Sequence, residues 1–362
     1  MKVCYLTNTL DVNSGWGRYS FEVISRFKQK KDFEIKVLTE EKSQIVDAEN
    51  ILENSFRGLF YIFLNSFRVR RYIKECDLIH CLDGYPYGVI GALSSLGLKK
   101  KLIISGIGTY SVMPFCHPIK KIFLAWAYRR AYCITCISTY TMRRIRKKVN
   151  LKKINVVHMG IDFDRFSKQQ KQKNKKDNKI VLSVGALKRR KGYHISIPAL
   201  ALVKNNLKNI KYYIIGSQSN QSYYNYLKEL VAKYNLQDNV FFIAEINDKK
   251  LIELYQDCNL FVLTSVNVGF HFEGYGLVYL EAGACGKPVI GTFNCGAEDA
   301  VDNQITGLLV EQNNIEQTAE AMLKILQNND LALRLGEAGR KKAKAMSWQK
   351  TVDQYEQIYR TK

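Results

Sequence analysis

Short, continuous apolar runs recur along the chain, and longer amphipathic stretches separate most of them. The first set is Val3–Leu6, Ile35–Leu38, Asp77–Cys81, Leu102–Ile104, Tyr132–Ile137 and Ile154–Val157. The second is Ile180–Val184, Tyr212–Ile215, Val240–Ile243, Leu260–Leu263, Val289–Ile290 and Leu308–Val310, alternating with helical patterns such as Ser222–Tyr234 and Ile315–Gln327. Runs rich in β-branched and aromatic residues that do not alternate with polar ones predict strands buried on both faces. Such strands belong to parallel sheets covered by helices. Between the two sets, Ser167–Lys179 reads SKQQKQKNKKDNK, without one apolar side chain. Such a stretch cannot repay its ordering entropy by burial and reads as an exposed linker. The pattern predicts two doubly wound α/β domains, 1–168 and 180–345, with a linker at 169–179. Open sheets of this kind bind ligands beyond the carboxyl ends of their strands, so a site is expected in a cleft between facing domains.

Charge changes this picture. The 362 residues hold 55 Lys+Arg and 33 Asp+Glu, a formal net charge of +22. Residues 1–175 carry 32 bases and 14 acids, so +18 of the excess lies in the first half. Two stretches there, FRGLFYIFLNSFRVRRYIK (Phe56–Lys74) and HPIKKIFLAWAYRRAY (His117–Tyr132), mix large apolar side chains with bases as interfacial helices do. Each base near an anionic leaflet is worth about 1 kcal/mol, so an anionic membrane surface is an expected partner. The same total charge would license nucleic-acid binding. No helix-turn-helix, zinc-finger or RRM signature accompanies it, and no nucleic-acid partner is expected.

Other features narrow the class. No apolar run approaches the ~20 residues of a membrane span. The first residues lack the long apolar region and cleavage site of a signal peptide. Nine scattered cysteines suit reduced thiols of a cytoplasmic protein, placed by the basic surface on the inner face of the cell membrane. Cys133-Ile134-Thr135-Cys136 lies inside a strand pattern and reads as two buried small hydrophobes. His80, His117, His158 and His194 are isolated, and no metal site is expected.

Candidate chemistry gathers in three places. Gly15 and Gly17 precede an amphipathic helix and let backbone approach an anion. The loop is not a dinucleotide fingerprint, because G-x-G-x-x-G is absent. In Ser183-Val184-Gly185-Ala186-Leu187-Lys188-Arg189-Arg190-Lys191-Gly192, adjacent bases follow a strand, where Arg and Lys can hold a diphosphate. In His271-Phe272-Glu273-Gly274-Tyr275-Gly276-Leu277-Val278-Tyr279-Leu280-Glu281, two carboxylates lie eight residues apart. Glu273 is expected in a loop, and Glu281 about two turns into a helix beginning near Gly276. The glycine turn and helix N-terminus form a second anion cradle.

The E-x7-E pattern Glu273…Glu281 within FEGYGLVYLEAGACGKPVIGT (Phe272–Thr292), together with SVGALKRRKG (Ser183–Gly192), resembles glycosyltransferase family 4. His158-Met159-Gly160-Ile161-Asp162 and Ile137-Ser138 also match family elements, so the resemblance covers nearly the whole chain. It implies the GT-B fold, two Rossmann-like domains facing across a cleft, with 346–362 forming a helix that crosses back to the first domain. It implies a retaining, metal-independent hexosyltransferase without cofactor, using a UDP-sugar or GDP-sugar. Its acceptor would be a glycan, lipid-linked or part of a cell-envelope polysaccharide, as in polysaccharide biosynthesis. By the same resemblance, Arg190 and Lys191 would hold the donor diphosphate beside Gly185, and Glu273 would contact the donor sugar and stabilise positive charge at its anomeric carbon. Gly274, Tyr275, Gly276 and Leu277 would present backbone N–H groups, Glu281 would take the ribose hydroxyls, and Gly15 and Gly17 would close over the diphosphate. Many relatives place Arg directly after the first glycine of the basic motif. Ala186 stands there, so that role falls to Arg190 with Lys191. An inactive partner of another transferase and a nucleic-acid-binding protein are the alternative readings.

Overall fold

The computed structural model describes residues 1–43, 47–168 and 178–361. The chain divides into two units, Met1–Gly160 with Trp348–Lys362, and Ile161–Ser347. The expected linker falls mostly on 169–177, which lie outside the described residues. Residues Ile161–Lys168, read above as the end of the first domain, pack with the second unit. The reason is the helix Phe163–Ser167: Phe166 is buried edge-on against Tyr255, and Arg165 pairs with Asp248 at 2.7 Å.

Among the described residues the first unit is built on seven parallel strands. They are β1 (Lys2–Thr7), β2 (Glu34–Thr39), β3 (Glu49–Asn50), β4 (Leu78–Cys81), β5 (Lys101–Gly106), β6 (Cys133–Cys136) and β7 (Ile154–Val156), in the order β3-β2-β1-β4-β5-β6-β7. Val3, Cys4, Tyr5, Leu6, Ile79, Cys81, Ile103 and Ile104 are fully buried, as strands covered on both faces require. Only β3, two exposed polar residues, escapes the apolar pattern. Helices α1 (Gly15–Lys28), α2 (Leu59–Ile73), α3 (Val89–Ser94) and α4 (Lys120–Arg130) are among those covering the sheet. The second unit has six parallel strands, β8 (Lys179–Val184), β9 (Ile210–Ile215), β10 (Val240–Ile243), β11 (Leu260–Val262), β12 (Val289–Thr292) and β13 (Gly307–Val310), in the order β10-β9-β8-β11-β12-β13. In both sheets the strand order reverses beside the first strand, between β1 and β4 and between β8 and β11. A crevice opens at such a reversal, because the flanking connections leave in opposite directions.

The helix Trp348–Arg360 belongs with the first unit and is held there by a buried polar network. His80 on β4 meets the Tyr359 hydroxyl through Nδ1 at 2.6 Å and Ser105 Oγ through Nε2 at 2.7 Å. Tyr5 and Tyr359 share a hydroxyl contact at 2.9 Å, while Tyr355 reaches Ser105, Thr135 and the Tyr19 hydroxyl. Burial pushes His80 down to about 3, so the ring is neutral and serves as one donor and one acceptor. Lys101 on β5 closes the helix by donating to the carbonyls of Ile358 at 2.8 Å and Tyr359 at 3.0 Å. Among the described residues no helix is long and apolar enough to cross a membrane.

Tyr359→Phe leaves His80 Nδ1 and the Tyr5 hydroxyl buried without this partner. It is expected to lower unfolding stability by about 1–3 kcal/mol, read from urea denaturation. The substituted ring would keep the stacking that Tyr359 makes on Phe27, so a larger loss would point to packing instead.

Candidate functional site

The two motifs of the second half meet at the reversal of the second sheet. The basic loop leaves the carboxyl end of β8, and the segment carrying Glu273 follows β11, the adjacent strand. Residues Arg189–Lys191 form one 3-10 turn, after which the chain enters the helix Tyr193–Lys204 through Gly192. Gly192 has φ of 75°, and a Cβ there would lie 1.6 Å from the Thr264 carbonyl oxygen, so only glycine fits. Thr264 Oγ1 donates to the Gly192 carbonyl at 2.8 Å, and Val266 N–H donates to the Arg190 carbonyl at 2.8 Å. These bonds pin the basic turn to the loop after β11.

The turn sorts its bases. Lys188 and Arg189 are exposed, whereas Lys191 is buried and Arg190 half-buried. Both inward bases converge on one oxygen: Lys191 Nζ lies 2.6 Å and Arg190 Nη1 3.1 Å from Glu273 Oε2. Ser265 Oγ donates to the same oxygen at 3.4 Å. Burial alone would raise the Glu273 carboxyl, but the charges and hydrogen bonds of Lys191 and Arg190 outweigh it and hold the group at about 2. Burial also pushes Lys191 down, and Glu273 opposes that shift. The arrangement keeps a carboxylate and two cations together in a poorly hydrated place, where electrostatic interactions are strong.

Glu273 sits in the loop, as its sequence position predicts. Its carbonyl accepts from Gly296 N–H at 2.8 Å. Gly274 and Tyr275 follow in the loop, Gly276 caps the helix Leu277–Ala284 with φ of 85°, and Leu277 opens it. The first-turn N–H groups of that helix lack intrahelical acceptors, which makes its N-terminus favourable for an anion. Glu281 is the fifth helical residue, just over one turn in rather than two, because five residues at 3.6 per turn span about 1.4 turns. It is buried and accepts from the Tyr255 hydroxyl at 2.7 Å. Gly185 follows β8, and its carbonyl accepts from the buried Tyr193 hydroxyl at 2.6 Å.

Sequence reasoning missed the supporting shell of Tyr193, Tyr255, Thr264 and Ser265. Tyr193 adjoins Gly192, so its proximity is readable. Tyr255 lies 26 residues before Glu281 in an ordinary amphipathic helix and carries no local signal. In the first unit, Gly15 and Gly17 lie inside the first turn of α1 rather than before it, since Ser14 Oγ caps Gly17 N–H at 2.9 Å. A Cβ on Gly17 would lie 2.2 Å from the Asp11 carbonyl oxygen, so that glycine serves the return of its own loop, while Gly15 faces open space. Cys133 and Cys136 are both buried in β6 with thiols raised by burial, as the strand pattern predicts. Among the described residues no group of three or more His, Cys, Asp or Glu is placed to hold a metal.

Two doubly wound parallel sheets, with charged loops at the strand reversal of the second, give the GT-B architecture. Comparison with known proteins agrees. A profile described as "Glycosyl transferases group 1" matches residues 164–342, and one described as "Glycosyltransferase Family 4" matches 14–165. An uncharacterised glycosyltransferase of Methanocaldococcus jannaschii is 28% identical, over 95% of this chain and 94% of its own length. A GDP-mannose-dependent alpha-(1-6)-phosphatidylinositol monomannoside mannosyltransferase of Mycobacterium tuberculosis is 24% identical over 75% of this chain and 73% of its own. Among solved structures, Anabaena HepE in complex with UDP and glucose superposes with a TM-score of 0.82 at 17% identity, covering 99% of both chains. Together the two profiles span residues 14–342, and the chain is a GT-B glycosyltransferase similar to family 4.

Glu273→Ala leaves Lys191 buried without its counter-charge and is expected to destabilise by about 3–5 kcal/mol. Adding Lys191→Met should recover most of that loss in a double-mutant cycle followed by calorimetry. The folded carboxyl lies at about 2 against an ordinary 4.5, so its stabilising contribution is complete above 4.5. It is lost as pH falls from 4.5 toward 2, and the loss should be absent in the double variant.

Proposed function

We propose that the protein transfers a hexose from a UDP- or GDP-sugar to a glycan acceptor, with retention of configuration and no metal. The acceptor in this reading is lipid-linked or part of a cell-envelope polysaccharide, and the reaction takes place at the cytoplasmic face of the cell membrane. The observation that carries the reading is the convergence of Arg190 and Lys191 on Glu273 beside a helix N-terminus, at the carboxyl ends of β8 and β11.

A donor's diphosphate offers Arg190 and Lys191 a second set of anionic oxygens, and Arg supplies the planar fork that phosphate prefers. As the bond to the anomeric carbon breaks, negative charge grows on the departing nucleoside diphosphate. The two bases and the N–H groups at Gly276–Leu277 are already in place for such charge. Positive charge grows on the sugar ring, and Glu273, ionised at every physiological pH, is the group available to stabilise it. Glu281, oriented by Tyr255, would accept hydrogen bonds from the ribose hydroxyls. The UDP named for the Anabaena structure and the GDP-mannose and phosphatidylinositol named for the mycobacterial relative support both donor choices and a lipid-borne acceptor.

Incubation with a panel of UDP- and GDP-sugars should release nucleoside diphosphate from one of them. Glu273→Ala and Arg190→Ala should each lower kcat by about 10²–10³-fold. If no donor turns over, or if the variants match the wild type, the reading fails. Thermal shift with UDP and GDP separates the donors, because a ligand at about 100 times its Kd adds about 2.7 kcal/mol of stability.

A further inference from the structure

The large apolar side chains that remain exposed are unevenly placed. Phe60, Phe63 and Phe67 recur at i, i+3 and i+7 on one face of α2, and Phe60 and Phe67 are 73% and 72% exposed. Ile119 and Ile122, the latter 63% exposed, stand at the start of α4, and Leu96 follows α3. These are six of the twelve large hydrophobic residues exposed among the described positions. They form one region. Phe63 meets Phe123 of α4 edge-on, with ring centroids 5.9 Å apart. A cleft of about 350 Å³ between α2 and α3 is lined by Phe63, Phe67, Leu93 and Leu96. Arg70 from α2 and Arg130 from α4 donate to the carbonyls of Ser94 and Ser95 at 2.8 and 3.0 Å, tying both helices to the end of α3.

The charge around this region is mostly basic. The 78 residues between Asp83 and Asp162, which contain α3 and α4, hold fourteen bases and no acid. Helix α2 has no acid and adds Arg70, which lines the apolar cleft, while its Arg68 is paired with Glu53 at 3.0 Å. Lys99, Lys121 and Arg129 are exposed beside the apolar residues. Contiguous exposed aromatic and aliphatic side chains ringed by bases suit a surface that is apolar inside and anionic at its boundary.

We propose that the α2–α3–α4 face docks on an anionic lipid bilayer, with Phe60, Phe67 and Ile122 entering the acyl boundary and the surrounding bases meeting headgroup phosphates. A second copy of the chain would bring two strongly basic faces together, and nucleic acid has no use for the six apolar side chains. The proposal rests on the glycosyltransferase reading only for what the bilayer carries, a lipid-linked acceptor. Vesicle binding is measured without turnover, so either idea can fail alone.

The test is flotation with phosphatidylcholine vesicles, with and without about one third phosphatidylglycerol. Wild type should float with the anionic vesicles and stay behind with the neutral ones. The triple variant Phe60→Ser, Phe67→Ser, Ile122→Ser should lose at least about tenfold in bound fraction, as should Lys99→Glu, Lys121→Glu, Arg129→Glu. None of these residues lies in the donor site, so donor-dependent release of nucleoside diphosphate should persist in both. Equal flotation on neutral vesicles, unchanged binding by either variant, or a wild-type dimer that the serine variant converts to monomer would overturn the proposal.

Discussion

A carboxylate buried against two cations organises the second unit. Glu273 is reached by Lys191 and Arg190 from a turn that Gly192 allows to press against the backbone after β11. Burying Glu273 and Lys191 is costly, and apolar replacements would often serve stability as well or better. What the cluster supplies is positioning. Lys191 is held buried and Arg190 half-buried, both aimed at one oxygen. The tight backbone, the hydroxyls of Thr264 and Ser265, and the short helix at Leu277 all maintain that one arrangement.

The fold is legible in the sequence because its strands are continuous apolar runs. Among the described residues twelve of thirteen strands coincide with runs visible in the sequence, and β3 is hidden because it consists only of the exposed Glu49 and Asn50. The division between units is less visible. The polar stretch at 167–179 suggests a join, but the chain changes unit at Ile161, and Phe166 finds its apolar partner in Tyr255. Burial decides membership, and no local composition reveals which partner a lone phenylalanine has.

The motifs of the candidate site are legible for a different reason. Their glycines and charges lie within a few residues of one another, so spacing carries the geometry. Glu273, Arg190 and Lys191 meet because β8 and β11 are neighbours, which follows from the doubly wound order. The tyrosine that orients Glu281 comes from elsewhere in the chain. Tyr255 supports Glu281 through tertiary packing alone. The same holds for the His80 network, whose members span residues 5 to 359.

That network also sets an order of assembly. Tyr355 and Tyr359 supply hydroxyls to His80, Ser105, Thr135, Tyr5 and Tyr19, all in the first part of the chain. During synthesis these groups emerge first, and their partners emerge only after the entire second unit. The second unit, from Ile161 to Ser347, can therefore finish folding while the first still waits for the segment that completes it. The unit that begins earliest on the ribosome closes last.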